Sequence, residues 1–267
     1  MKAYYNEHDS FAAQWLRNLI AAGEIPEGDV DERDIQKVQG SDLEGFDQVH
    51  LFAGIAGWSL ALKLAGWPDD RPVWTGSCPC QPFSVAGKQG GLQDHRHLWP
   101  AMFDLIKERR PPAVCGEQVV EAIKSGWLDL VFDNLESEGY ACWTLCIDAS
   151  IFGAKHKRHR LYWAGIVPDA ISPQGDLQHG RPGGLREQGR NGLDAGKEAI
   201  RSTHGETDPN NASRFLPRAW ATGPGEIGSI PFMADGLSVS VARCIGNSIM
   251  PQVAAEFIGA YMEARLI

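Results

Sequence analysis

Phe46-Asp47-Gln48-Val49-His50-Leu51-Phe52-Ala53-Gly54-Ile55-Ala56-Gly57 runs from a strand into a glycine-rich turn, and Ser59-Leu60-Ala61-Leu62-Lys63-Leu64-Ala65 follows as a helix closed by Gly66. Strand, glycine turn and helix in succession aim backbone N–H groups and a helix N-terminus at a ligand. The same unit builds open sheets with helices on both faces. A lone Gly-x-x-Gly decides little, so the reading rests on what flanks it.

Downstream, the apolar run Pro72-Val73-Trp74-Thr75 reads as a strand and leads into Gly76-Ser77-Cys78-Pro79-Cys80-Gln81-Pro82-Phe83-Ser84. Pro79 and Pro82 fix their own φ and push the residues before them out of helical geometry. Cys80 is thereby presented on a stiff loop at the carboxyl end of a strand, where open α/β sheets place their ligands. A nucleophile, a buried structural thiol, and half of a Cys78–Cys80 redox or metal pair all satisfy the local pattern. The pair alone supplies two of the roughly four ligands of a structural zinc, with no second pair at ligand spacing nearby.

Upstream, residues 3–8 read as a strand and Ser10–Ile20 as a helix, with positions 12, 15, 16, 19 and 20 on one apolar face. Asp9 or Ser10 caps the helix and Gly23 ends it. Glu7 then sits at a strand tip, where a carboxylate can accept both hydroxyls of a ribose or simply face solvent. Pro26-Glu27-Gly28-Asp29-Val30-Asp31 is a turn followed by acids, and residues 35–45 read as a polar connection.

Beyond the Cys80 loop, Gly87-Lys88-Gln89-Gly90-Gly91 is a glycine segment suited to closing over a substrate. A helix over 101–108 and an apolar strand over 113–116 deliver Glu117-Gln118-Val119. A helix over 127–137, a strand over 140–147 and a basic strand through Phe152–Trp163 come next. On that last strand His156, Arg158 and Arg160 alternate onto one side. From Pro168 to about Pro231 glycine, proline and polar residues dominate, and no element pattern emerges. Gly246-Asn247-Ser248 then precedes an apolar C-terminal helix reaching about Met262.

The bulk numbers set outer limits. The chain has 267 residues, 43% hydrophobic and 22% charged, which is enough to bury a sizeable core. No apolar run approaches the roughly 20 residues of a membrane span, and the first residues lack the apolar core of a secretion signal. Six unevenly spaced cysteines suggest reduced thiols and a cytoplasmic setting. A net charge of −9 argues against a general nucleic-acid coat, but the charge is uneven. Residues 1–50 carry four bases against eleven acids, a net of −7, whereas residues 151–220 carry eleven bases against seven acids, a net of +4.

Pro79-Cys80-Gln81-Pro82-Phe83-Ser84 resembles the catalytic loop of the DNA (cytosine-5) methyltransferases, and five further segments resemble motifs of that family. The likeness covers most of residues 3–167 and 235–262. It implies an α/β Rossmann-like S-adenosylmethionine-dependent methyltransferase sheet with helices on both faces, plus a small irregular target-recognition region. The expected division is a catalytic and cofactor-binding domain, 1–167 with 236–267, and a recognition region, 168–235.

The resemblance also implies roles. Cys80 is the nucleophile, Glu117 protonates the cytosine ring, and Arg158 and Arg160 hold the target base and the glutamate strand. For the cofactor, S-adenosyl-L-methionine, the implied contacts are Phe52, Gly54 and Gly57 of the glycine turn, Glu7 on the ribose, Asp29 near the adenine, and Pro79, Leu98 and Asn247. Asp31 remains a rival to Asp29. Gln81, Ser84, Lys88 and His156 are the DNA- or base-facing residues. Gln118 stands where the family has Asn, and His156 where it has Gln. No metal is implied.

The motif order departs from most of the family, since Glu7 and Asp29 precede the glycine turn. Only about twenty residues separate Gly57 from Cys80, too few for the usual intervening βαβ unit. The expected topology therefore places the second and third strands of the sheet ahead of the first. The implied partner is duplex DNA, for a monomeric enzyme of bacterial or phage type with a possible cognate restriction enzyme. A pyrimidine methyltransferase acting on RNA and a degenerate DNA-binding remnant remain open at this point.

Overall fold

The computed structural model describes residues 2–68, 71–79, 98–153, 158–168 and 248–264. In chain order its elements are β1 (Ala3–Asn6), α1 (Ser10–Ala21), β2 (Gly28–Asp31), two 3₁₀ turns (Ile35–Lys37 and Gly40–Leu43), β3 (Gln48–Leu51), α2 (Gly57–Ala65), β4 (Val73–Gly76), α3 (Trp99–Arg109), β5 (Ala113–Val119), α4 (Glu121–Lys124), α5 (Trp127–Ser137), β6 (Ala141–Asp148), a 3₁₀ turn (Ala149–Phe152), β7 (His159–Ile166) and α6 (Pro251–Ala264).

The seven strands form one sheet in the order β2-β1-β3-β4-β5-β7-β6. The pairs from β2 through to β5 are parallel, and β7 runs antiparallel to both β5 and β6. The two strands that precede the glycine turn in the chain thus lie on its far side in the sheet. This bears out the rearranged order. Parallel pairing makes it possible, because every parallel strand starts from the same edge and needs only a crossover to reach its place.

Both sheet faces are covered, as a parallel sheet requires. On one face Trp99 of α3, Trp127 of α5 and Trp163 of β7 are fully buried, with ring centroids 5.5–6.3 Å apart in edge-to-face contacts. Gly116 is glycine because of this cluster: a Cβ there would lie 2.3 Å from the Trp163 ring and 2.5 Å from the Gly76 carbonyl oxygen. On the other face α2 and α6 pack together over Val73, Cys115, Tyr162 and Ala164, while Leu16 of α1 covers Ala3 and Tyr5.

Three sequence expectations change in detail. The basic strand expected through Phe152–Trp163 is β7, His159–Ile166, with Phe152 closing a 3₁₀ turn and Arg158 one residue before the strand. The 35–45 connection forms two 3₁₀ turns that bury Ile35, Val38 and Leu43. Their single turns are too short to leave a periodic pattern. The strand expected over 113–116 continues to Val119, so Glu117 and Gln118 lie within β5 rather than on a loop beyond it.

Candidate active site

The site begins at the carboxyl ends of β1 and β3. Three of the five residues after β3 have positive φ: Phe52 (55°), Gly54 (56°) and Ala56 (69°). For Phe52 and Ala56 this conformation costs energy, so neighbouring contacts must hold it. Glu7 supplies the main one. Its Oε2 accepts from the Gly54 N–H at 2.7 Å and its Oε1 from the Asp9 N–H at 2.8 Å. The Ala53 N–H also donates to the Asn6 carbonyl at 2.9 Å. A strand-tip carboxylate and a glycine turn, 47 residues apart in the chain, therefore form one unit.

Buried Asn6 extends this unit to the loop after β2. Its Nδ2 donates to the carbonyls of Asp31 at 3.2 Å and Arg33 at 2.8 Å. Asp29 is not brought in. It pairs in register with Tyr4, three residues short of Glu7, and its exposed carboxylate meets Lys2 at 3.2 Å. At about 3.3 Å per residue that is roughly 10 Å back from the carboxyl edge. Its rival Asp31 ends β2, but its carboxylate is taken by Arg33 and by the Tyr4 hydroxyl.

Next along the sheet, β4 runs out into Ser77, Cys78 and Pro79. The Trp58 indole N–H, from the first turn of α2, donates to the Ser77 hydroxyl at 2.9 Å. From β5, Gln118 donates through Nε2 to the Cys78 carbonyl at 3.2 Å, while its Oε1 accepts from the Val119 N–H at 2.9 Å. The backbone two residues before Cys80 is thus held from both sides. The Cys78 thiol is buried 3.9 Å from the Met102 sulfur, and burial pushes its pKa far up. That removes Cys78 as a nucleophile, since the reactive form is the thiolate.

Glu117, on the face of β5 that looks toward α2 and α6, is 8% exposed. Arg160 Nε lies 2.8 Å from its Oε1, an ion-pair contact from the neighbouring strand. Burial raises the Glu117 pKa, and Arg160 and Arg158 offset only part of the rise. The group is thereby biased toward its protonated form, as a proton donor needs. Arg158, one residue before β7, donates from Nη2 to the Ser248 carbonyl at 2.7 Å. Ile249 follows, and its Cγ1 sits 2.6 Å from where a Cβ on Gly57 would be. Gly57 is glycine for that close approach.

The structure therefore brings Glu7, Phe52, Gly54, Gly57, Pro79, Glu117, Arg158 and Arg160 to one edge of the sheet. Leu98 enters α3, half-buried against the tryptophan side of the core. Cys80, Gln81, Ser84, Lys88, His156 and Asn247 lie outside the described residues, as does the expected recognition region from 169 onward. Two positioning contacts escaped the sequence reading, Trp58 to Ser77 and Gln118 to Cys78. The second had a signal, since Gln118 stood out as a departure from the expected Asn. Among the described residues no group of three or more His, Cys, Asp and Glu is placed to hold a metal ion.

The fold is shared, at a TM-score of 0.50 and 11% identity, with the Entamoeba histolytica methyltransferase EhMeth, over 99% of this chain and 98% of that one. Residues 67–187 match the family described as C-5 cytosine-specific DNA methylase. The Type II methyltransferase M.HgiCII of Herpetosiphon aurantiacus is 26% identical over 178 residues, 49% of this chain and 41% of that protein. The Type II methyltransferase M1.ScrFI of Lactococcus lactis subsp. cremoris is 34% identical over 127 residues, 46% of this chain and 32% of the other. The chain resembles the C-5 cytosine-specific DNA methylases over residues 67–187, and each of these sequence matches covers less than half of it. It spans less than half the length of these curated relatives.

Proposed function

We propose that the chain transfers a methyl group from S-adenosyl-L-methionine to carbon 5 of cytosine in duplex DNA. The observation that carries this reading is the Glu117 cluster: a buried carboxyl with a raised pKa, beside two arginines, whose neighbour Gln118 grips the backbone leading to Cys80. The residues present suit the cofactor. The glycine turn offers backbone N–H groups at the N-terminus of α2, and Glu7 offers a carboxylate at the adjoining strand end.

Carbon 5 of cytosine is too weakly nucleophilic to be methylated directly. Addition of the Cys80 thiolate to carbon 6 makes the ring an enamine, and a proton from Glu117 at N3 makes that addition feasible. The cofactor supplies an electrophilic methyl group. Loss of the carbon 5 proton and expulsion of Cys80 then restore the aromatic ring. The target atom is unreachable within a duplex, so the base is flipped out. Arg160 steadies Glu117 across β7. Gln81, Ser84, Lys88 and His156 are assigned to the DNA side, and residues 168–235 to target recognition. Asn247, Pro79 and Leu98 complete the cofactor contacts. The enzyme works as a monomer in the cytoplasm of a bacterial or phage-infected cell, with a cognate restriction enzyme as a possible partner. Among the described residues no helix is long and apolar enough to cross a membrane.

The test is incorporation of labelled methyl groups from S-adenosylmethionine into duplex DNA of mixed sequence, beside Cys80→Ala. The expected product is 5-methylcytosine with the parent chain alone, together with a covalent adduct on duplexes containing 5-fluorocytosine. A folded parent that binds the cofactor but labels no DNA would overturn the reading.

A further inference from the structure

The two arginines before and within β7 point to different tasks. Arg160 lies along Glu117. Arg158 acts on Glu117 through its charge, but its hydrogen bond goes elsewhere: it donates to the carbonyl of Ser248, 90 residues later in the chain, at 2.7 Å in a partly buried setting. Ser248 leads directly into Ile249, which is 6% exposed and packed against Gly57, the first residue of α2. Ile249 in turn precedes α6, whose Val253, Ala254, Phe257 and Ile258 are buried in the same core as Trp58, Ala61 and Leu62 of α2. The glycine turn thus has a wall made of chain from the far C-terminal end, and the strand bearing Glu117's ion-pair partner fastens that wall.

We propose that Arg158 is a positioning residue for the cofactor side of the site: its guanidinium clamps Ser248–Ile249 against the glycine turn. The proposal rests on the reading of that turn as the S-adenosylmethionine site. A guanidinium donating to a partly buried carbonyl makes a charge-assisted bond, stronger than a neutral one. Without it, Ser248 loses a fixed partner and the wall is correctly seated for a smaller fraction of the time. A ligand that needs the seated wall then binds with an apparent dissociation constant raised by the inverse of that fraction. The larger loss falls on binding, whereas at Arg160 the larger loss falls on the acid.

The test compares the full chain with Arg158→Ala, Arg158→Lys and Arg160→Ala. Hydrogen exchange of the amides at 249–254, read without ligand, is expected to quicken about tenfold in Arg158→Ala, consistent with loss of one charged hydrogen bond. It should stay near the parent rate in Arg160→Ala. Equilibrium dialysis with labelled S-adenosylmethionine, without DNA, should show a dissociation constant roughly tenfold higher in Arg158→Ala, partial recovery in Arg158→Lys, and affinity held in Arg160→Ala. With DNA present, Arg158→Ala should raise KM for the cofactor more than it lowers kcat, and Arg160→Ala the reverse. A parent that binds the cofactor beside an Arg158→Ala chain of unchanged affinity and exchange overturns the inference alone. A parent that binds no S-adenosylmethionine overturns the cofactor reading and the inference with it.

Discussion

Glu117 is kept from water by the strands and helices around it, and that burial, more than its arginine neighbours, decides its protonation. Because its pKa in the folded chain lies above the ordinary 4.5, the folded chain retains a proton that the unfolded chain has already lost. Stability is therefore highest with respect to this group below pH 4.5 and declines as the pH rises through the interval up to the folded value. Glu117→Gln keeps the shape and removes the titration. It is expected to abolish methyl transfer yet raise the melting temperature at pH 8, with the gain shrinking toward pH 4. A melting temperature lowered equally at both pH values would contradict the account. Gln118 contributes otherwise, by gripping the Cys78 carbonyl. Replacing it with Leu should cost about 1–2 kcal/mol for the unpaired buried carbonyl. Single-turnover kinetics should show a lower kcat with little change in KM for DNA, because Cys80 is then less well aimed.

At the scale of elements, the strands and helices that hold the site were legible wherever they are long enough to repeat. The helix over 127–137 emerges with the expected bounds, and α2 and β4 within two residues of theirs. Legibility failed where a decision depends on pairing. The strand period puts Asp29 and Asp31 on the same side, but only the register with β1 tells which lies at the carboxyl edge. The Arg158–Ser248 bond joins segments 90 residues apart, a distance no local pattern spans. The length of β5 is likewise set by β7, which pairs with it from Ala113 to Val119. That pairing also explains why Gly116 admits no side chain. Gly116→Ala puts a methyl group against the Trp163 ring on one side and the Gly76 carbonyl on the other. Neither neighbour is the far end of a flexible side chain, so the tryptophan cluster must shift. A loss of about 1–3 kcal/mol is expected from overpacking of this kind, read from the urea midpoint. An unchanged midpoint would mean that the ring moves aside freely.

For the molecule as a whole, the informative feature is that a sheet of this kind tolerates a different chain order. β1 lies between β2 and β3 with main-chain pairing on both sides, and Glu7 closes the glycine turn as it leaves the sheet. What matters to the site is that these neighbours are present, and the order in which the chain visits them is secondary. The parallel strands all start at the same edge, about 4.8 Å apart, so an alternative route differs only in its connections. Consider a chain that starts at Phe46 and carries residues 1–45 as an insert between Pro68 and Arg71. The link from the end of α2 to Ala3 must pass two strand spacings, about 10 Å, which roughly three extended residues cover. The link from Gly45 to Arg71 must pass one spacing beyond its present target, since β4 pairs directly with β3. With short glycine-serine linkers at both joins, the permuted chain is expected to unfold cooperatively, to melt within a few degrees of the parent, and to bind S-adenosylmethionine with an affinity within about threefold. The small shift follows from loop closure, whose cost changes slowly with length. A permuted chain that folds but loses the cofactor would mean that the Glu7–Gly54 contact depends on the native connection. A chain that fails to fold would mean that the crossover from β2 to β3 contributes stability of its own, through the buried Ile35, Val38 and Leu43.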